Sequence, residues 1–313
     1  MTDIINNDDP VYIDNNNNEH SSISSPSPSF NSFNSNSQSV PNINNNSFFQ
    51  IATHNVRGLS DATKQKNLLH TIELNNIDIL GLSETNLAGK KAIFAFRNLE
   101  NYTSYFDGDD SDNYRGQGVG LILHKSFAKH VSRVTRFSKH PGRCIYIDLH
   151  LKGQSKLRII QTYFPANRTN QQHCVIRSDL DSYLNTLLEH SHQHDYHVIL
   201  MGDFNASNAD LQQRLSKNLN PTPRQQFLYD LPSHLMSDAL LTLQPASDSD
   251  PAFSTFSSTV SRSRIDYIWI SQSILFNLLN SGLHTTELYS SDTKCFSSNY
   301  SETVLLTTQP RRP

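Results

Sequence analysis

The chain has 313 residues, 26 Lys plus Arg against 29 Asp plus Glu, and three cysteines. Cys144, Cys174 and Cys295 have neither the even count of a disulfide framework nor the spacing of a thiolate metal site, which points to a reducing, intracellular compartment. No stretch approaches the roughly 20 apolar residues of a membrane helix, and the N-terminus lacks the basic start and apolar core of a signal peptide, so the sequence reads as unsecreted, with no membrane partner.

Residues 1–47 hold 13 Asn and 11 Ser, no Lys or Arg, and the acids Asp3, Asp8, Asp9, Asp14 and Glu19. Such a segment cannot bury enough apolar surface to offset ordering, and it reads as a disordered tail. Without those acids the remainder carries a net charge of about +2, which allows a nucleic-acid substrate without arguing for one. Local phosphate attraction would have to come from a patch, with Arg57, Arg115, Arg143, Arg168 and Arg264 as candidates.

One domain is expected over 48–308, followed by a short end at 309–313. A strand from Phe48 to Thr53 enters His54-Asn55-Val56-Arg57-Gly58, helical spacing follows over 62–74, and a second apolar strand runs from Ile77 to Leu82. Further strands are expected at Gly118–Leu123, Cys144–Leu151, Leu157–Tyr163, His197–Met201, Ile265–Ile270 and Thr303–Thr307. Ile176, Leu180, Tyr183, Leu184, Leu187 and Leu188 recur at spacings of three and four and mark one amphipathic helix. Many strands with intermittent helices predict an α/β sandwich, two sheets packed face to face with helices outside.

The polar residues of interest fall at strand ends. In Val198 to Asn205 an apolar strand closes on Gly202-Asp203-Phe204-Asn205, and alternation along an extended chain would put Asp203 and Asn205 on one face, aimed at one spot. Turn residues after a strand would read the same way. Asn55 ends the first strand, Glu84 follows the second, and Tyr163 stands just before a Phe-Pro turn. Asp266 lies among large apolar neighbours, where a carboxylate must be paired or hydrogen-bonded.

Thr53-His54-Asn55-Val56-Arg57-Gly58, Leu82-Ser83-Glu84-Thr85, Gly116-Gln117-Gly118-Val119-Gly120, Tyr163-Phe164-Pro165, Gly202-Asp203-Phe204-Asn205 and Ser263-Arg264-Ile265-Asp266-Tyr267-Ile268 occur in that order. Together they resemble the endonuclease/exonuclease/phosphatase (DNase I-like) superfamily over residues 48 to about 308, in style nearest the endonuclease domains of LINE-type retrotransposons and AP endonucleases. The resemblance implies a four-layer α/β sandwich, two packed mixed β-sheets flanked by helices, that hydrolyses DNA phosphodiesters with Mg²⁺ (or Mn²⁺). It implies that Glu84 and Asn55 hold the metal and that Asp203 aligns or deprotonates the attacking water. It further implies that Asn205 orients that water, that Tyr163 stabilises the phosphorane-like charge and that Asp266 orients a histidine. Arg57 and Arg264 are expected phosphate contacts. A hard cation also suits a cleft of carboxylates and amides without clustered His or Cys.

The superfamily's terminal Ser-Asp-His is degenerate here. One placement is Ser298-Asn299-Tyr300, immediately before the expected last strand; another is Ser291-Asp292-Thr293, and neither holds the imidazole. A positioned acid or base is worth about 10² to 10⁴-fold in rate, and a tyrosine with a pKa near 10 is a poor base, so hydrolysis is expected to be impaired while metal and phosphate binding survive. Three readings follow: an impaired DNA endonuclease of retrotransposon type, an inactive nucleic-acid- or phosphate-binding remnant, and a same-fold phosphoesterase acting on RNA or a small phosphate ester.

Overall fold

The computed structural model describes residues 48–301, apart from residue 98 and the segments 111–115, 167–169, 246–249, 258–261 and 285–294. The expected tail, the strand at Thr303–Thr307 and the end at 309–313 lie outside the described residues. One six-stranded sheet contains β1 (Phe48–Asn55), β2 (Ile79–Ser83), β3 (Tyr102–Asp107) and β4 (Val119–His124), with β13 (Leu278–His284) and β14 (Cys295–Ser301), in the order β13-β14-β1-β2-β4-β3. The second contains β5 (Val131–Arg136), β6 (Cys144–His150), β7 (Lys156–Tyr163), β8 (Tyr196–Asp203), β9 (Met236–Asp238) and β12 (Asp266–Ser271), in the order β5-β6-β7-β8-β12-β9. A short hairpin of β10 (Phe256–Ser257) and β11 (Arg262–Ser263) stands apart from both.

Each sheet has one parallel pair at its centre, β1 with β2 and β7 with β8, and the other pairings are antiparallel. A parallel pair needs a long crossover, supplied by α1 (Ala62–Leu74) in the first sheet and, after the short α2 (Gly89–Ala95) and α3 (Lys125–Ala128), by α4 (Gln171–Gln193) in the second. Both helices start on side-chain caps: Asp61 accepts from the Lys64 N–H at 2.7 Å, and Asn170 accepts from Gln172 and His173.

Strand alternation sorts the core into three layers. Ile51, Ile79, Leu121, Ile159, Ile199 and Ile268 pack between the sheets. Their neighbours Ala52, Leu80 and Ile122 face Leu68 and Ile72 of α1, and Ile160, Leu200 and Trp269 face Leu180, Leu184 and Leu188 of α4. Burial on both faces explains why the central strands read as continuous apolar runs. The architecture is the expected four-layer sandwich. The strands absent from the sequence reading are the sheet edges β3, β5, β9 and β13, such as Val131–Arg136, whose mixed polarity gives no apolar run, together with the short β10 and β11 and with β14, whose Cys295–Ser301 is equally mixed. No helix among the described residues is long and apolar enough to cross a membrane.

A polar seam crosses the inner layer near one end. The Gln161 amide donates to Ser83 Oγ at 2.8 Å, its oxygen accepts from Thr53 Oγ1 at 3.3 Å, and Ser83 donates to the Thr162 carbonyl at 3.3 Å, all fully buried. Gly202 lies beside this seam at φ 138, where a Cβ would stand 1.9 Å from the Thr162 carbonyl oxygen. Only glycine lets β8 approach β7 this closely. Gly202→Ala is expected to destabilise the protein by about 3 kcal/mol or more, read as a lowered urea midpoint, because backbone clash and φ strain add.

Candidate active site

Beyond the seam, four strand ends meet. Asn55, at the end of β1, donates through Nδ2 to Asp203 Oδ2 at 2.7 Å, joining the two sheets, and its Oδ1 accepts the Arg57 N–H at 3.1 Å. Asp203 Oδ1 accepts the Asn205 N–H at 2.8 Å, and Asn205 Nδ2 donates to the Phe164 carbonyl at 2.8 Å. The extended alternation expected to carry Asn205 alongside Asp203 stops at Asp203. Asn205 has φ 48, and the pair is held together by this tight side-chain-to-backbone turn instead.

Glu84 follows β2 at φ 55 and is half-buried. Its carbonyl accepts from Gly58, and the Thr85 carbonyl accepts from Leu59, so the two loops leaving β1 and β2 are laced together. Thr85 in turn donates its N–H to the Gly118 carbonyl, and a Cβ at Gly118 (φ 102) would lie 2.2 Å from Thr85 Oγ1. The Gly116-Gln117-Gly118 motif thus buttresses the loop that presents Glu84.

The register of β8 and β12 sets Asp266 opposite Asp203. Asp266 is 1% exposed, and its side chain meets that of Thr255, whose Oγ1 also accepts the Ile265 and Asp266 N–H groups at 3.0 and 3.1 Å. Burial first, and then the Asp203 charge, holds its carboxyl well above the usual range. Burial likewise pushes Asp203 up to about 6, with Glu84 adding to the rise and the Asn205 N–H and Asn55 amide pulling it back. Tyr163 is raised by burial and by Glu84 and Asp203, so its phenol stays protonated. Arg143 lies with Cζ 5.0 Å from the Tyr163 ring and hydrogen-bonds its side chain, and burial lowers its pKa against the pull of Tyr163, Glu84 and Asp203.

Asp203 and Asp266 lie buried together and the Glu84 charge raises the proton affinity of both, a repulsion that a divalent cation would relieve. Among the described residues no three His, Cys, Asp or Glu side chains converge to hold an ion unaided. Glu84 with the Asn55 amide oxygen therefore fits a hard cation that keeps waters and takes substrate oxygens as further ligands.

Of the expected phosphate contacts, Arg57 (φ 45) lies at the cleft, its guanidinium 5.7 Å from the Phe256 ring. Arg264 corrects the reading. It is 4% exposed, ion-paired to Asp238 Oδ2 at 2.7 Å and stacked on Tyr267 at 4.4 Å, so its charge serves the fold. Arg115 and Arg168 lie outside the described residues.

The degenerate triplet is also placed by register. Asn299 pairs with Gln50 and Tyr300 with Phe49, inside β14 rather than before the last strand and at the end of β1 remote from Asn55. Ser291-Asp292-Thr293 lies outside the described residues; in sequence it leads into Cys295, at the end of β14 nearest Asn55. His54 is no substitute, since alternation turns it to the face opposite Thr53 and Asn55.

Arg177 was absent from the sequence reading. It is 8% exposed, and its Nη2 donates to the Pro165 carbonyl at 2.9 Å and the Phe204 carbonyl at 3.3 Å, bracing the loops behind Tyr163 and Asp203. The available signal was a charge three residues before Leu180, on the buried stripe of α4. A cavity of about 810 Å³ opens beside these loops, lined by Pro165, Arg177, Asp181, Ala206, Arg214 and Ile265 among others.

The profile of the Endonuclease/Exonuclease/phosphatase family matches residues 52–292. Among solved structures, the chain is similar to the APE2 catalytic domain of Xenopus laevis, at 21% identity over 81% of this chain and 92% of that one, with a TM-score of 0.65. It is also similar to the AP endonuclease LMAP of Leishmania major, at 18% identity over 82% of this chain and 88% of that one, again with a TM-score of 0.65. No curated protein matches the chain.

Asp203 binds its proton more tightly in the folded chain than in the unfolded one, where its pKa is about 3.9, so the native state holds more protons between about pH 4 and 6 and loses stability as pH rises through that window. In chelator, the stability of Asp203→Asn relative to the natural chain is expected to grow by roughly 2–3 kcal/mol from pH 4 to pH 7 in urea titrations. Added Mg²⁺ should shrink that gap.

Proposed function

The chain belongs to the endonuclease/exonuclease/phosphatase family, and we propose that it is a divalent-metal-dependent phosphodiesterase acting on DNA, of the retrotransposon endonuclease type. The observation that carries this reading is the meeting of Asn55, Glu84, Tyr163, Asp203 and Asp266 at one edge of two sheets, bridged by the 2.7 Å bond from Asn55 to Asp203. Asn55-Val56-Arg57-Gly58-Leu59 and Ser263 to Trp269 support the retrotransposon subtype.

Glu84 and the Asn55 carboxamide oxygen would hold Mg²⁺ or Mn²⁺, which when bound would polarise a phosphoryl oxygen. Asp203, with a carboxyl near 6, takes the proton of the attacking water. Asn205 fixes Asp203 through its N–H and the β7 loop through Nδ2, leaving Oδ1 to orient that water. Tyr163 keeps its proton and donates it in a hydrogen bond to the charged phosphoryl oxygen, with Arg143 steadying the phenol. Asp266 is a carboxylate without an imidazole among the described residues, which predicts slow turnover.

The test is conversion of supercoiled plasmid to the nicked form in Mg²⁺. Slow nicking is expected, with a loss of about 100-fold or more in Glu84→Ala. A gain of about tenfold or more is expected in Thr293→His, and none in Tyr300→His, because Tyr300 pairs with Phe49. Metal-dependent DNA binding with no nicking by any variant would favour an inactive binding module; turnover of RNA or a small phosphate ester without DNA cleavage would replace the substrate.

A further inference from the structure

At the opposite end of β8 from Asp203, α4 closes on Glu189-His190-Ser191-His192-Gln193, with His194 as its C-cap. His190 and His194 are one turn apart, both are exposed, and their rings stack with centroids 4.1 Å apart and planes 16° from parallel. We propose that this pair is a two-nitrogen site for a late first-row transition-metal ion, of the class of Ni²⁺, Cu²⁺ or Zn²⁺.

The hydrogen bond of His194 favours it. His194 Nδ1 stands 2.9 Å from the His190 carbonyl oxygen, an acceptor only, so Nδ1 carries the proton and Nε2 keeps its lone pair. A ring nitrogen anchored to a carbonyl while the other faces the ion is the usual arrangement of a metal-bound histidine. His190 Nδ1 meets Arg158 Nη1 at 3.4 Å, the long limit of a hydrogen bond. The strong partners of Arg158 are Asp148, at 2.6 and 2.9 Å, and Ser191, at 2.9 Å. Presenting Nε2 from His190 moves its proton to Nδ1 and gives up that long contact, while the Asp148 and Ser191 bonds of Arg158 stay in place.

Metal–imidazole bonds of about 2.0–2.1 Å place two ligating nitrogens roughly 3 Å apart, a small side-chain rotation from stacked rings. Water completes the coordination, since no third His, Cys, Asp or Glu among the described residues joins the pair. Imidazole nitrogens select such ions over Mg²⁺. Seven residue steps along β8 separate this end from Asp203, about 23 Å, so the site is distinct from the carboxylate cleft. An ion here would pin His194, the C-cap of α4, to the preceding turn, just before Asp195 (φ 57) turns the chain into β8.

The full chain, with excess Mg²⁺ present, would be titrated calorimetrically with Ni²⁺ beside His190→Ala, His194→Ala and His192→Ala. His192 is exposed and two residues from either ligand, so it projects from another side of the helix. The first two variants are expected to weaken the tightest Ni²⁺ site at least tenfold and to lose the rise in Tm that Ni²⁺ gives the natural chain, while His192→Ala stays within twofold. Equal binding by all four proteins, dependence on His192 alone, or no binding at millimolar Ni²⁺ would overturn the site.

Discussion

The hydrogen bond from Asn55 to Asp203 is the contact on which the cleft depends. Its partners are separated by 148 residues and belong to different sheets, so the bond exists only when the two sheets close at the correct angle and depth. The buried seam of Thr53, Ser83, Gln161 and Thr162 sets that depth one layer below. A polar seam inside an apolar sandwich tolerates few alternative registers, because a shift would strand buried donors and acceptors at a cost of about 1–3 kcal/mol each. Apolar packing closes the sandwich, and the seam decides where the strand ends come to rest.

The same geometry concentrates charge. Asp203 and Asp266 are adjacent across two strands and almost wholly buried, with Glu84 close enough to raise both. Such an arrangement is unfavourable for the apo fold and is the kind of local conflict that marks functional sites. The positive-φ backbone at Arg57, Glu84 and Asn205 belongs to the same pattern, since three of the loops that leave central strands turn sharply where a side chain must face the cleft.

Much of this was legible from the chain. Continuous apolar strands identified the two-sided burial of β1, β2, β7 and β8, and the two crossover helices showed clear three-and-four spacing. The polar residues at strand ends were found because nothing else explains a carboxylate or amide closing an apolar run. Edge strands were not, because half-exposed residues follow no single period. Nor was the fate of Arg264: an arginine beside a buried aspartate reads as a phosphate contact until Asp238, 26 residues earlier, is seen to take its charge. The triplet Ser298-Asn299-Tyr300 was displaced for a related reason, since strand boundaries depend on pairing partners that sequence alone does not reveal.

The pairing of β1 with β14 ties the beginning of the described chain to its end. Of the described strands β1 leaves the ribosome first, with β2 available on one side, but the neighbour on its other side is made only after all the others. Domains fold as units as the chain emerges, and an edge left unpaired in a partly made sheet is exposed to association with other chains. The nascent protein therefore carries β1 with one open edge until β14 has been made.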